Sequence, residues 1–198
     1  MILKSLAALL VLGASSLAIP QDAEGEEALK SGTYAIDGGH SNVLFRVTHL
    51  GVAPFWGRFN QVEGQVTLDA EDLSKSKVSI VIPVDSVDSN SADRDGHLKS
   101  PDFFSAKEFP ELTFESTKVS QARDGVLRVT GDLTMLGESN EVSFDAHQIG
   151  HGERGRFGYR AGYEADFTVT RSDFGMDFMV GMLGDEVRLI VALETILQ

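Results

Sequence analysis

From Thr33 onward the chain alternates apolar and polar residues with period two, the pattern of strands that bury one face. The clearest run spans Phe157 to Val169. There Phe157, Tyr159, Ala161, Tyr163, Ala165, Phe167 and Val169 alternate with Gly158, Arg160, Gly162, Glu164, Asp166 and Thr168. Such a run predicts a long amphipathic strand in antiparallel company. The same alternation recurs in Val43-Phe45-Val47, Val66-Leu68, Val78-Ile80-Ile82-Val84, Leu112-Phe114, Val129 to Met135, Val142-Phe144-Ala146 and Val187-Leu189-Val191-Leu193. About eight or nine strands follow. Turn residues separate them at Asp37-Gly38-Gly39, Asp124-Gly125, Gly137 to Asn140 and Gly150 to Gly155, so consecutive hairpins are the economical connection.

One stretch breaks the pattern. Ser91 to Phe104 reads as a short helix, with Ser91 as N-cap and Pro101 as stop despite Gly96. A second helical turn is expected at Ser105 to Glu108, which has capping-box spacing and ends at Pro110. No repeat or second domain is visible. An all-β chain with this many strands must hide its sheet edges, either by closing into a barrel or by folding into a sandwich. Long strands in hairpin order favour the barrel, and about eight strands leave an interior able to hold one small ligand. A sandwich stays as the alternative.

The N-terminus changes the compartment rather than the fold. Lys4, the apolar run Leu6 to Leu12 and the small residues Ala14 to Ala18 have the layout of a secretory signal peptide, with cleavage expected after Ala18. The apolar run is too short to span a bilayer, so no transmembrane span is expected. Ile19 to Ser31 carries Asp22, Glu24, Glu26 and Glu27 with little apolar patterning and reads as a flexible acidic leader. The domain is then 32–198. No cysteine is present, which removes disulfides, thiolate metal sites and cysteine nucleophiles. Export without disulfides points to a bacterial periplasm or a secreted protein. The net charge of −13 repels nucleic acid and anionic membrane surfaces.

Several motifs tempt and fail. Gly150-x-Gly152-x-x-Gly155 matches the dinucleotide fingerprint, but a strand follows it where a helix is needed. Asp173-Phe174-Gly175 lacks the loop, lysine and catalytic segment that give this triplet meaning in kinases. Five histidines, at positions 40, 49, 97, 147 and 151, show no tight ligand spacing, so neither a metal nor a cofactor is expected. No Gly-x-Ser-x-Gly elbow supports a serine hydrolase. The segment Arg94-Asp95-Gly96-His97-Leu98-Lys99 admits two readings: an ordinary solvated face with a local Arg–Asp pair, or a pocket mouth, since Phe103-Phe104 follows at once. Twelve phenylalanines against three tyrosines and one tryptophan suit a core or cavity wall without polar atoms.

Ordered blocks along the chain carry a resemblance. They are His40-Ser41 with Phe45, Gly57-x-Phe59, Arg94-Asp95-x-His97-Leu98, Asp102-Phe103-Phe104, Phe109-Pro110, Gly131-x-Leu133 with Gly137, Arg171-x-Asp173-Phe174-Gly175 and Gly184-Asp185-Glu186-Val187. Together they cover most of Tyr34 to Leu197, and the chain resembles the YceI-like family of lipid- or polyisoprenoid-binding periplasmic proteins. It departs from the family's usual look at Thr33-Tyr34, where a tryptophan is expected, and in the acidic leader. The resemblance implies an all-β, lipocalin-like antiparallel β-barrel of about eight strands with a short helical insertion. It also implies a non-enzymatic binder or carrier of an apolar polyisoprenoid-type lipid, such as an isoprenoid quinone or its precursor.

The resemblance does not assign contacts residue by residue; from the apolar positions expected to face inward, the candidate lipid contacts are Phe45, Phe59, Phe103, Phe104, Phe114, Leu133, Phe144 and Phe174. Arg94, His97 and Arg171 are the candidate partners of a polar head group. Two other classes stay open: an enzyme acting on a lipid or its head group, and a ligand-free stress-protection or interaction module. A homodimer is left open as well.

Overall fold

The computed structural model describes residues 28–198. The expected signal peptide and the leader up to residue 27 lie outside the described residues. The strands are β1 (Gly32–Ile36), β2 (Asn42–His49), β3 (Ala53–Phe59), β4 (Glu63–Leu68), β5 (Lys77–Pro83), β6 (Val87–Asp88), β7 (Glu111–Arg123), β8 (Val126–Met135), β9 (Glu138–Glu153), β10 (Tyr159–Thr170) and β11 (Leu183–Leu197), with one helix, α1 (Ala92–Leu98), between β6 and β7. All named strands pair antiparallel.

Eleven strands make a barrel of eight staves. The sheet runs β1-β4-β5-β7-β8-β9-β10-β11 and closes by β11 on β1, while β2, β3 and β6 continue from the same edge of β11. The pairings explain the count. β1 and β2 lie end to end along β11, β4 and β3 along β1 and β2, and β5 and β6 along β4 and β3. Three staves are thus broken, at residues 37–41, 60–62 and 84–86. The breaks lie side by side: Asn60 donates its backbone N–H to Ser86, and a Cβ on Gly38 would come 2.9 Å from the Val62 carbonyl. The result is an up-and-down barrel whose closure by β11 on β1 hides the sheet edges along that length, while β6 ends the strand order with no further strand partner.

At the first break side chains replace the ladder. Ser41 Oγ accepts from Glu194 N at 3.0 Å and donates to Glu194 O, and Asp37 N also donates to Glu194 O at 2.8 Å. Arg160 then joins the carboxylates of Asp37 and Glu194, and His40 Nδ1 lies 3.0 Å from Asp37 Oδ2. Asp37, His40 and Glu194 place potential metal ligands within 4.8 Å of one another, but the Arg160 guanidinium already supplies the positive charge there.

Inward residues form two apolar clusters. The larger fills most of the barrel wall, and the smaller, around Tyr34, Val66, Leu68, Tyr159 and Ala161, seals one end. Residues 28–31, expected as the end of a flexible leader, belong to this seal. Tyr34 donates to Lys30 O at 2.6 Å, Tyr159 to Ala28 O at 3.1 Å, and Leu29 packs on the cluster. Two inward glycines let large rings lie across the wall. A Cβ on Gly57 would meet the Phe45 ring at 2.2 Å, and one on Gly131 the Phe114 ring at 2.7 Å.

Local differences from the sequence reading have local causes. The long run begins at Tyr159, not Phe157, because Gly158 sits at φ 74° and turns Phe157 out, 55% exposed. β9 does not stop at Gly150. It continues to Glu153 through a bulge opposite Gly162 and Tyr163, which exposes Ile149. The helix is capped by Ser91 as expected but ends at Leu98, and turns carry the chain from Lys99 to Pro110. The capping-box segment is a single turn, Phe109 N to Ser105 O at 2.9 Å, since Ser105 at φ 47° is not a helical N-cap.

Hydrogen bonds from Arg160 and then His40 hold the Asp37 carboxyl down to about 2. A folded value below the ordinary carboxylate range stabilises the fold above about pH 4, and this contribution is lost as pH falls toward 2. Asp37→Asn is expected to cost about 1–2 kcal/mol at pH 7, after allowance for solvent screening. It should also flatten the acid limb of the stability curve between about pH 4 and 2, measured by urea unfolding across pH.

Candidate functional site: an apolar cavity in the barrel

Because side chains alternate along every stave, one face of each strand points inward, and the inward residues do not fill the space. They enclose a cavity of about 600 Å³, within the range of small-molecule sites. Its wall is almost entirely hydrocarbon. Val43, Phe45 and Val47 of β2 lie beside Val191, Leu189 and Val187 of β11, with Phe167 next to Leu189 on β10, and Phe114, Val129 and Phe144 continue the wall on β7, β8 and β9. Phe144 stacks on Phe167 with centroids 4.5 Å apart, and Phe45, Phe59 and Phe104 form a chain of ring contacts at 5.7 and 5.6 Å. Small residues on inward positions, Ala146 and Ala165, leave the volume open.

The cavity is shut at the Tyr34 and Tyr159 end. At the other end its wall is built from the β2–β3 hairpin, α1 with the segment after it, and the loop before β11. Leu50 and Val52 on the hairpin and Val180 and Met182 on the loop are exposed, and the two meet through Leu50 N to Met182 O at 2.6 Å. Across the opening His97, Phe103 and Phe178 make an edge-to-face trio with centroids 5.1 to 5.7 Å apart.

Phe45, Phe59, Phe103, Phe104, Phe114, Leu133, Phe144, Arg94, His97 and Arg171 all border this cavity. Phe174 does not. It is 2% exposed within the apolar wall, on the single turn Arg171–Phe174 that Gly175 ends at φ 78°. The triplet Asp173-Phe174-Gly175 is therefore a turn with an anchoring ring. Sequence reasoning missed the β11 wall and the aliphatic positions Val78, Ile80, Ile82 and Val129. Their period-two spacing identifies them as inward, but spacing does not separate cavity wall from filled core.

The three expected head-group partners are engaged within the protein. Arg171 is 3% exposed and donates to the carbonyls of Gly184 (2.9 Å), Met176 (2.8 Å), Phe178 (3.0 Å) and Leu183 (3.5 Å). Burial pulls its pKa down, against the opposing charges of Asp185 and Asp177. Arg94 Nε donates to Ser89 Oγ at 2.9 Å, and its guanidinium lies 4.4 Å from the Phe55 ring. His97 Nε2 sits 2.8 Å from Asp102 Oδ2. The local Arg–Asp pair considered for this segment takes another form: Asp95 accepts from the backbone N–H and hydroxyl of Ser89, so both residues grip the same buried serine.

At the closed end Tyr163 borders the cavity, and burial pushes its hydroxyl up to about 12. Ser76 borders it too, its Oγ accepting from Asp69 N at 2.9 Å.

The chain is thus a closed antiparallel β-barrel protein with an apolar interior cavity. The YceI-like domain profile matches residues 34–195, and the chain belongs to that family. It is 39% identical over 173 residues to a UPF0312 protein of Shewanella denitrificans, covering 86% of this chain and 91% of that one. A UPF0312 protein of Pseudomonas aeruginosa is 41% identical over 167 residues, covering 83% and 87%.

Among solved structures, BcnA of Burkholderia cenocepacia shares the fold at TM-score 0.73 and 23% identity, over 80% of this chain and 98% of that one. The YCEI protein of Campylobacter jejuni gives 0.65 and 26%, over 74% and 87%. A polyisoprenoid binding domain from Saccharophagus degradans implicated in plant cell wall breakdown gives 0.64 and 13%, over 85% and 100%.

Arg171 is expected to act on the fold. Arg171→Ala strands several buried carbonyls and should destabilise by about 3 kcal/mol or more, and Arg171→Lys should restore little, because one ammonium cannot span the fork of acceptors. Urea unfolding of both variants checks this.

Proposed function

We propose that this protein binds and carries one apolar, polyisoprenoid-type lipid, an isoprenoid quinone, a precursor or a similar amphiphile, inside its barrel, and that it does so without catalysis. The observation that carries the reading is the cavity itself: about 600 Å³ walled by phenylalanine, valine and leucine and opening at one end. At about 30 Å³ per heavy atom, the share of a water molecule, it takes at least ~20 heavy atoms, or about four isoprene units. Burial is worth roughly 0.8 kcal/mol per methylene, so about ten buried methylenes match micromolar affinity before ordering costs. The remaining length of a longer chain would lie along the apolar rim at Leu50, Val52, Val180 and Met182. The fold shared with the polyisoprenoid binding domain of Saccharophagus degradans supports the same reading.

We place the mature protein in the periplasm, or outside the cell, after cleavage following Ala18. Such a compartment gives a lipid carrier an aqueous gap to bridge. Among the described residues no helix is long and apolar enough to cross a membrane.

Organic extraction of protein purified from its native compartment, followed by mass spectrometry, is expected to yield a polyisoprenoid. Ala165→Trp, which places an indole in the cavity, should weaken uptake of a fluorescent apolar probe by more than tenfold with an unchanged far-UV spectrum. Repeated lipid-free recovery together with no uptake of added isoprenoids would sink the reading.

For localisation, fractionation and N-terminal sequencing are expected to give a periplasmic or extracellular protein beginning at Ile19. A cytoplasmic protein that still carries residues 1–18 would overturn the placement.

A further inference from the structure

The polar groups at the open end are spent, and the free ones are at the closed end. Arg171 is saturated by backbone carbonyls, Arg94 holds Ser89, and His97 faces Asp102. At the closed end the chain concentrates all of its three tyrosines. Tyr34 and Tyr159 donate their hydroxyls to Lys30 and Ala28 and so stitch the seal. Tyr163 has no such role. Its ring lies among the inward residues of β10, between Ala161 and Ala165, and the Gln148 side chain across the bulge lies close enough to its hydroxyl to favour the phenolate without completing a hydrogen bond of good geometry. Gln148 Nε2 is buried and without a hydrogen-bond partner, the one such side-chain atom found among the described residues.

Tyr163 borders the cavity with its hydroxyl proton uncommitted, and Gln148 Nε2 lies buried beside it without a partner; an acceptor entering there would relieve a buried polar group whose unpaired state costs free energy comparable to a lost hydrogen bond. Phenylalanine lines the same cavity elsewhere and would pack equally well at position 163. The Ser76 hydroxyl adds a third polar group on the cavity wall, and it still has its own proton to donate. No arginine or lysine borders that end of the cavity. The cationic residues on the wall are Arg94 and Arg171, both at the open end. An anionic head group would therefore enter a dry site without a counter-charge, which is prohibitive.

We infer that the amphiphile enters head first, placing a neutral oxygen acceptor, a carbonyl or ether oxygen, against the Tyr163 hydroxyl, beside Gln148, at the closed end while its hydrocarbon tail runs toward the open end. The inference rests on the lipid-binding reading above and deepens it: the ligand class becomes oxygen-headed, uncharged isoprenoids, and the orientation is the reverse of a head held at the mouth.

Tyr163→Phe removes the hydroxyl and keeps the ring. The test measures affinity of the full-length mature protein for geranylgeranylacetone, an isoprenoid methyl ketone, and for an isoprenoid hydrocarbon of the same length. The native protein is expected to prefer the ketone by about tenfold, the size one buried hydrogen bond gives. Tyr163→Phe should erase that preference and leave hydrocarbon affinity within about twofold. A ketone preference that survives in Tyr163→Phe overturns the inference, as does equal affinity of the native protein for both probes, the result expected if a bound water occupies the two donors. Binding of neither probe by the native protein would instead remove the lipid-binding reading itself.

Discussion

The structure depends on how one strand is shared. β11 pairs with β10 along one edge over residues 186–196, while its other edge passes from β2 at Ala192 to β1 at Thr195. Without that change of partner the barrel would end at β1, five residues long, and would be too short to enclose the cavity. The change leaves a gap in the ladder at Glu194, and an unpaired backbone group there would be costly. Ser41 and Asp37 fill the gap, and Arg160 neutralises the carboxylates brought together beside it. The extended barrel is thus made possible by a small polar knot on its outside.

Closure also determines what the interior can be. Once all staves are paired, their inward residues are fixed in number and spacing, and the cavity volume follows from which of them are small. Gly57 and Gly131 let the Phe45 and Phe114 rings lie flat against the wall instead of projecting across it. Ala146 and Ala165 leave room opposite. A wall built from large side chains everywhere would be a filled core. The alternation of bulky rings with glycine and alanine gives an apolar space that is lined but not filled, and the aromatic contacts among Phe45, Phe59, Phe104, Phe144 and Phe167 keep the rings in place.

Much of this is legible from residues alone, for a physical reason: period two is a property of strands whichever partner they take. The inward set of β10, Tyr159 to Val169, is read directly from the sequence. Strand ends are less legible. Gly158 turns Phe157 outward by adopting a positive φ, and Gly150 looks like a terminator yet sits inside β9, beside a bulge. Glycine permits a turn, a bulge or a close approach, and only the partner strand selects among them. The site is legible in its walls, because inward aromatics must face whatever lies within. It is not legible in its polar groups. Arg171 looks like a ligand partner because it is a cation among aromatics, and nothing local reveals that four carbonyls from residues 176–184 converge on it.

Internal polar contacts of this kind explain where the family blocks fall. A container gives up core packing in proportion to the space it holds, and at about 24 cal/mol per Å³ even part of 600 Å³ left unfilled weighs on the order of several kcal/mol against folding. The frame must supply the compensation, and it does so at the ends of the barrel, where loops would otherwise be loose. Arg171 binds the loop before β11, Asp185 accepts from the backbone and hydroxyl of Ser172, Asp95 and Arg94 hold Ser89, and Phe174 anchors the turn between them. These are the same charged and glycine-bearing blocks that carry the resemblance. They identify the chain because they build the vessel, whereas the two groups that we assign to the ligand's head, a tyrosine among phenylalanines and a glutamine behind a bulge, stand out in no motif.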